Sequence, residues 1–272
     1  MREPDASFGA ATKYEVFAVR YGTLRARRAE LFHRYEAYGE PDAEVEMAYY
    51  FWILRRSGRT ILVDTGFDVD AGARRRRTCL CPPLEALQLA GVAPESVSTV
   101  VVTHFHYDHI GNLDAFPTAE LVVPRRELEF WTGPLSDRRQ FAVHVERKEI
   151  AGVERAVEEG RVRLTEGTEE ILAGVTAVNV GGHSPGQQVT VVAAAGGDVV
   201  LASDAIHFYE EYELQRPFAV IADLEEMYRA YDVVADLAAK PGAVLVPGHD
   251  PRVLERFAPA GEAAQPHVVR VG

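Results

Sequence analysis

One short run of side chains constrains this sequence more than any other feature. The apolar stretch Val97–Val102 leads into three histidines and an aspartate within six residues, namely His104, His106, Asp108 and His109. Residues two apart in an extended chain point to the same side, so the first two imidazoles should face one point together. Asp108 and His109 then fall in the turn that follows and can face a second point nearby. Imidazole and carboxylate are the groups that zinc and similar divalent ions bind, so the run predicts a metal site.

Three later positions repeat this context, a ligand-type residue shortly after an apolar run. They are His183 after Val175–Val180, Asp204 after Val199–Ala202, and His249 after Val244–Val246. Loops at the carboxyl ends of strands commonly gather into one site. Five histidines and two aspartates would supply two sets of three ligands and one shared carboxylate.

The rest of the chain alternates between apolar runs and segments with helical spacing. Strands are predicted for those runs and for Tyr14–Arg20, Met47–Arg55, Thr60–Val63, Glu120–Val123 and Gln188–Ala193. Helices are predicted at Pro83–Leu89, Arg125–Trp131, Lys148–Glu158 and Leu224–Ala239, the last with a continuous apolar stripe. Several strands are unbroken Val, Ile and Leu runs, which indicates a sheet covered on both faces.

Taken in chain order, the seven ligand-type residues resemble the signature of the metallo-β-lactamase superfamily. That signature is His-x-His-x-Asp-His followed by a distant His, an Asp and a final His, and here it reads His104, His106, Asp108, His109, His183, Asp204 and His249. The segment Leu62–Gly66, which reads LVDTG, is similar to the family's strand and turn before the cluster. The resemblance spans Tyr14 to Phe257. It implies an α/β fold of the αββα sandwich type, with the metals at one edge of the two sheets, and we expect residues 1–272 to form a single domain.

The resemblance also implies a role for each of these residues. One metal would be held by His104, His106 and His183, the other by Asp108, His109 and His249, with Asp204 bridging them and Asp64 orienting a ligand imidazole. The expected cofactor is two Zn²⁺ ions, although manganese, iron or cobalt could bind the same ligands. Two such metals activate a water molecule for hydrolysis, so no Ser or Cys nucleophile is needed.

Within the superfamily, the segments His104–Asn112 and Ser203–Phe208 most resemble the N-acyl-homoserine lactonases, the quorum-quenching branch. The bridging Asp204 argues against the zinc β-lactamases, and the short tail after His249 argues against glyoxalase-type thioesterases. The resemblance therefore implies a zinc hydrolase that opens a lactone ring. The alternatives are hydrolysis of a different small ester, thioester or cyclic amide, or a metal-binding protein whose catalytic function is lost or replaced.

The lactonase branch carries a substrate-contacting tyrosine three residues after the bridging aspartate, where this chain has His207. His207 is predicted either to donate the same hydrogen bond to the developing oxyanion or to indicate a different substrate within this branch. The resemblance also implies that Asp108 passes a proton to the leaving alkoxide. Phe67 and Tyr209 are predicted to contact substrate. Four further aromatic side chains near the motif could belong either to the substrate pocket or to the core, namely Phe105, Tyr107, Phe208 and Phe218.

Other features bear on partners and compartment. A formal net charge of −12 argues against a nucleic-acid partner or an anionic membrane surface and fits a small neutral substrate. The chain shows no signal-like segment at its start and no long apolar run, so we expect a cytoplasmic protein; a homodimer is compatible with the sequence.

The Arg74–Arg77 run is interpreted as a solvated loop or as a group that attracts a substrate carboxylate or phosphate. The residues interpreted as ordinary are the thiols Cys79 and Cys81 and the histidines His33, His144 and His267.

Overall fold

The computed structural model describes residues 13–260 and 267–272. The initial segment on which the expectation about compartment depends therefore lies mostly outside the described residues. The strands are β1 (Glu15–Arg27), β2 (Glu44–Arg56), β3 (Arg59–Val63), β4 (Thr78–Cys79), β5 (Val97–Val101), β6 (Glu120–Pro124), β7 (Val162–Thr165), β8 (Thr168–Leu172), β9 (Val175–Asn179), β10 (Gln188–Ala194), β11 (Gly197–Ser203), β12 (Val244–Pro247), β13 (Ala258–Pro259) and β14 (Val268–Arg270).

The helices lie between these strands. They are α1 (Arg28–Leu31), α2 (Val69–Arg74), α3 (Pro83–Leu89), α4 (Tyr107–Ile110), α5 (Arg125–Trp131), α6 (Arg139–Ala142), α7 (Arg147–Glu158), α8 (Tyr209–Leu214), α9 (Leu224–Ala238) and α10 (Val253–Arg256). Short 3₁₀ turns occur at Tyr35–Tyr38, Pro94–Ser96, Leu113–Ala115 and Pro134–Asp137. All four predicted helices are present.

The strands form two sheets that pack face to face. The larger has the order β13-β14-β1-β2-β3-β5-β6-β7, with β4 on β1, and the smaller has the order β12-β11-β10-β9-β8. Side chains such as Trp52 and Val101 from the larger sheet meet Val192 and Leu201 from the smaller one. Helices α3, α5 and α7 cover the outer face of the larger sheet, and α9 covers that of the smaller one. The predicted αββα sandwich is thereby confirmed.

Strand β2 shows why its apolar run is continuous. Tyr49, Phe51 and Ile53 join the cluster beneath the helices. Tyr50 and Trp52 face the second sheet instead. Successive strand residues point to opposite faces, so a strand buried on both faces needs apolar side chains at every position.

Strand direction decides where the site lies. Strands β3, β5, β6 and β7 run parallel to one another. In the second sheet, β12 is parallel to β11, while β10 is antiparallel to both β9 and β11. The carboxyl ends of β3 and β5, and those of β9, β11 and β12, therefore bring their loops to one edge of the sandwich.

Several elements depart from the prediction. Strand β1 continues past Arg20 to Arg27 through an irregularity between Arg20 and Gly22, although its second half is largely polar. The prediction also lacks β4, β7, β8, β13 and β14, which are short or carry only a weak apolar pattern.

Cys79 and Cys81 are free thiols, and Cys79 lies in β4 rather than in the expected loop. No helix within the described ranges is both long and apolar enough to cross a membrane.

Candidate metal centre

The ligand-bearing run keeps an extended backbone beyond β5 and then turns into α4. His106 still has an extended conformation, and Tyr107 begins the single helical turn that carries Asp108 and His109. Asp64, which follows β3, fixes the entry to this turn because it accepts hydrogen bonds from the Thr103 N–H and hydroxyl, both at 2.8 Å. The predicted change of direction between the two pairs of ligands is thus present.

The structure gathers all seven predicted ligands into two adjoining groups. One group is His104, His106, His183 and Asp204, and the other is Asp108, His109 and His249. Within each group, the candidate ligand atoms lie within 4.8 Å of one another, and every residue is buried. Residues separated by up to 145 positions therefore meet at the shared edge of the sheets.

Asp204 lies between the two groups and gives one oxygen to each. Its Oδ2 is 3.2 Å from His183 Nε2 and 3.8 Å from His104 Nε2. Its Oδ1 is 3.1 Å from His249 Nε2 and 3.2 Å from His109 Nε2. A carboxylate placed in this way would offer one oxygen to an ion in each group.

Burial leaves three of the imidazoles neutral, whereas nearby carboxylates favour the protonated form of a fourth. Burial is the main cause that lowers the pKa of His104, His106 and His183 well below the usual imidazole range, and neighbouring imidazoles contribute. Each of these three rings is therefore neutral at neutral pH and keeps one nitrogen lone pair. Burial acts in the same direction on His109, but Asp204 and Asp64 outweigh it and raise its pKa well above the usual range. Burial opposes ionisation of Asp204, whereas four imidazoles, His249 foremost, lower its pKa well below the usual value.

Two imidazole nitrogens test whether this donor set fits a metal. The Nε2 atoms of His104 and His109 are buried and make no well-directed hydrogen bond among the described residues. Their nearest carboxylate oxygens are those of Asp204, at 3.8 Å and 3.2 Å. A buried polar atom without a partner is costly, and coordination would satisfy both. Three neutral imidazoles with a carboxylate in one group, and two imidazoles with a carboxylate in the other, match the ligands that zinc accepts.

The opposite nitrogen of each ring has its own partner. His109 Nδ1 lies 2.7 Å from Asp64 Oδ2, in the position predicted for an orienting carboxylate. His183 Nδ1 lies 2.9 Å from the Val220 carbonyl oxygen, and His249 Nδ1 lies 2.7 Å from that of Ala48. Such partners fix the tautomer and the direction of a ligand ring.

Glu127 on α5 joins the loops that carry two of these histidines. Its fully buried carboxylate accepts hydrogen bonds from the Phe105 N–H at 2.9 Å and the Trp131 indole at 2.7 Å. The Ser184 hydroxyl and the Gly186 N–H also donate to it, both at 2.6 Å. Sequence reasoning missed this residue, since a glutamate in a polar helix has no distinguishing pattern before the loops are in place.

His207 requires a correction. It is fully buried behind Asp204, with its Nε2 3.1 Å from Asp204 Oδ2, and its ring stacks on Phe218 at 3.8 Å. Glu211 holds the other side, with its Oε2 3.3 Å from His207 Nδ1. Burial disfavours the charged ring, but Glu211 and Asp204 raise the pKa of His207 to about 9. The turn at 203–206 aims the ring at the carboxylate, so His207 positions Asp204 and the predicted direct contact with substrate is wrong.

Two other predicted substrate contacts are also wrong. Tyr209 is buried, and its hydroxyl donates to the Leu245 carbonyl within the core between the sheets. Phe67 is fully buried and packs behind Tyr49 and Tyr107, with ring centroids 5.5 Å and 6.4 Å away. Phe67 and Tyr209 therefore belong to the two core clusters and do not line either cavity beside the candidate ligands.

Two adjoining cavities open above the candidate ligands. One, of about 160 Å³, is lined by Asp108 and Asp204 together with Leu24, Glu30, Leu31, Met47, Tyr49, Arg77, His106, Tyr107, His144, His183, Phe218 and Val220. The other cavity, of about 340 Å³, is also lined by His106, His144 and His183, and its further lining residues include Trp131, Phe141 and Ile221. His144, interpreted from sequence as ordinary, thus lies at the site, with its ring 5.2 Å from that of His106.

The sandwich and the metal-type donor set at its edge define a known class, and residues 46–249 match the family model described as the metallo-beta-lactamase superfamily. The chain belongs to that superfamily.

Its relatives include N-acyl homoserine lactonases. One from Bacillus thuringiensis is 27% identical over 165 residues, 60% of each chain, and one from Azorhizobium caulinodans is 29% identical over 174 residues, 61% of this chain and 63% of that protein. The chain thus spans about 60% of the length of these relatives. A crystal structure of a quorum-quenching N-acyl homoserine lactone lactonase superposes with a TM-score of 0.76 at 21% identity, over 95% of this chain and 99% of that one.

Proposed function

We propose that this chain is a dinuclear zinc hydrolase that opens the ring of a small lactone, of the N-acyl-homoserine lactone kind or related to it. The observation that carries the proposal is the position of the Asp204 carboxylate, one oxygen of which faces each histidine group. The names of the relatives support the substrate class. When bound, two zinc ions would lower the pKa of a water molecule and polarise the substrate carbonyl.

The residues of the chain have separate tasks in this reaction. The cavities provide space for a small acyl compound beside the ligands, and Trp131 and Phe141 give one of them an apolar wall. Water adds to the lactone carbonyl carbon, and the ring C–O bond breaks to leave a hydroxy acid.

Asp108 lines the smaller cavity and is 6% exposed, and we assign it the proton transfer. Its carboxylate takes the proton lost by the attacking water and gives it to the alkoxide that leaves the carbonyl carbon. The Tyr21 hydroxyl donates to the Asp108 backbone carbonyl at 2.8 Å, which steadies the turn carrying this side chain.

The test measures metal content and ring opening on the same samples. Purified protein should contain about two zinc ions per chain and should release acid from N-hexanoyl-homoserine lactone. Asp204→Asn should lose metal and activity, whereas Asp232→Asn, an exposed position on α9, should retain both. Metal-loaded protein that hydrolyses thioesters and leaves lactones intact would contradict the lactonase assignment, and protein that binds no divalent metal would contradict the metal centre.

A further inference from the structure

Arg77 lines the smaller cavity together with Asp108 and Asp204, and it is half-buried. Its Nε donates to the Tyr107 hydroxyl at 2.8 Å and its Nη1 to the Arg75 carbonyl oxygen at 3.0 Å. Among the described residues, no carboxylate oxygen lies within 4.0 Å of its guanidinium. The cavity therefore contains a cation that makes no close ion pair within the described residues, although the Asp108 carboxylate on the same cavity attracts it.

Its neighbours in the four-arginine run differ from it in this respect. Arg74 and Arg75 both pair with Glu146. Arg75 also donates to the Val145 carbonyl at 3.2 Å and stacks over Tyr107. Arg76 is exposed and has a left-handed backbone with φ of +59°. Arg74 and Arg75 thus hold the run against the segment before α7. Arg76 lies in solvent, and Arg77 lies in the cavity.

The guanidinium of Arg77 is held in place before any ligand arrives. Its carbon lies 6.0 Å from the ring centroids of both Tyr49 and Tyr107. Phe67 packs behind these two rings, and the guanidinium donates to the Tyr107 hydroxyl and the Arg75 carbonyl oxygen. The backbone N–H of Arg77 donates to the Gly72 carbonyl oxygen at 2.9 Å, which fixes the start of the side chain. A guanidinium fixed in this way loses little conformational freedom when it binds an anion.

The charges around the cavity favour an anionic ligand group once metal is bound. Asp108 and Asp204 belong to the candidate metal centre, where bound cations would offset their charge. The carboxylate of Glu30, on the exposed rim, accepts a hydrogen bond from the Arg27 N–H at 2.8 Å. Arg77 faces the interior, and the Tyr107 hydroxyl that accepts from it has its own proton to donate.

We propose that Arg77, with the Tyr107 hydroxyl, recognises a carboxylate on the substrate, so that the preferred lactone carries a carboxylate besides the ring. This inference rests on the proposed lactone hydrolysis. Two guanidinium N–H groups match the two oxygens of a carboxylate, and a small cavity favours this group over a bulkier phosphate. Arg77 is a specificity-determining residue here, and the apolar cavity beside Trp131 accommodates the rest of the molecule.

The test compares substrates that differ in one carboxylate. N-hexanoyl-homoserine lactone is paired with N-adipoyl-homoserine lactone, and phthalide with a carboxyphthalide, because the carboxylate can lie on the chain or on the ring. For one of the two pairs, the zinc-loaded enzyme should show a KM roughly ten times lower for the carboxylated member, the effect of one charged hydrogen-bonded pair.

The variants separate recognition from catalysis. Arg77→Gln should raise KM roughly tenfold for the preferred carboxylated lactone, leave its kcat nearly unchanged, and barely affect the neutral partner. Arg77→Lys should restore part of the preference, since lysine retains the positive charge but lacks the paired N–H donors of the planar guanidinium. Arg76→Gln, next to it in solvent, is the matched control. Equal changes for neutral and carboxylated lactones would overturn the inference.

A binding measurement distinguishes failure of this inference from failure of the proposed function. Calorimetric titration uses the corresponding lactams, in which a ring N–H replaces the ring oxygen, with zinc-loaded wild-type and Arg77→Gln protein. Carboxylate-dependent binding that Arg77→Gln abolishes supports the inference even if no lactone is opened. Lactone opening without such a preference would overturn the inference and leave the lactonase assignment in place. Absence of any Arg77-dependent binding would also overturn it.

Discussion

The hydroxyl of Ser184 donates a hydrogen bond of 2.6 Å to the carboxylate of Glu127, across 57 residues of sequence. Ser184 follows the candidate ligand His183, and the same carboxylate accepts from the N–H of Phe105, which lies between His104 and His106. One buried side chain therefore sets the distance between ligand loops that belong to different sheets.

Replacing this carboxylate with an amide tests its role. Glu127→Gln puts an NH₂ group among four donors, so at least one of them loses its acceptor, and we expect the free energy of unfolding to fall by about 2 kcal/mol. Urea unfolding of the zinc-loaded protein measures the change. Glu129→Gln, at an exposed position of the same helix, is the control. Equal unfolding midpoints for the two variants would show that the four hydrogen bonds contribute little to stability.

Asp64 should control zinc affinity through His109. Its Oδ2 lies 2.7 Å from His109 Nδ1. The substitution Asp64→Asn removes the charge, keeps the side chain the same size, and suits the left-handed backbone at this position, whose φ is +63°. We expect zinc affinity to weaken by roughly 10- to 100-fold, the usual effect of losing a partner behind a ligand. Competition with a chromophoric chelator measures it, with exposed Asp70→Asn as the control. Unchanged zinc affinity would mean that Asp64 only stabilises the turn at Thr103 and does not act on His109.

Asp108 should matter more for turnover than for metal retention. Asp108→Asn can no longer carry the proton from water to the leaving alkoxide, so kcat should fall by roughly 10²- to 10⁴-fold. The histidines and Asp204 remain, so the variant should retain part of its zinc. Parallel measurement of metal content and kcat, beside Asp232→Asn, tests this. Turnover near that of the wild type would rule out the assigned proton transfer.

Glu149 makes the stability of the protein pH-dependent at a distance from the metal centre. Burial and then repulsion from Glu146 raise its pKa to about 8, and Lys148 compensates only in part. Its two carboxylate oxygens have no hydrogen-bond partner among the described residues. The folded state holds the proton more tightly than the unfolded state, so this group makes stability fall as pH rises from about 4.5 to about 8.

Glu149→Gln should remove this dependence. Relative to the wild type, the variant should gain stability with rising pH by at most about 1.4 kcal/mol per unit across that window. Urea unfolding at about pH 5 and about pH 8 measures the difference. Glu154→Gln, exposed on the same helix, should show the wild-type profile. A gain that is the same at both pH values would mean that Glu149 does not bind its proton more tightly in the folded state.

The fold was predictable to the extent that its elements are amphipathic or apolar. Helix α3 begins and ends at the predicted residues Pro83 and Leu89, because two prolines open it and its apolar spacing is regular. The strands β7 and β8 were not predictable. Residues such as Arg163 and Glu169 alternate there with only a few apolar positions, and the pairing with neighbours that makes them strands is a long-range property.

The sequence by itself determined the seven residues that meet at the candidate centre, because each stands shortly after an apolar run and strand ends converge at one sheet edge. Tertiary structure alone decided what surrounds them. It placed Glu127 between two loops, His144 and Arg77 at the cavity, His207 behind Asp204, and Tyr209 and Phe67 in the core. Spacing along the chain can specify which side chains share a strand end. The direction in which a loop side chain points depends on contacts with segments far away in sequence, and only the folded chain supplies those contacts.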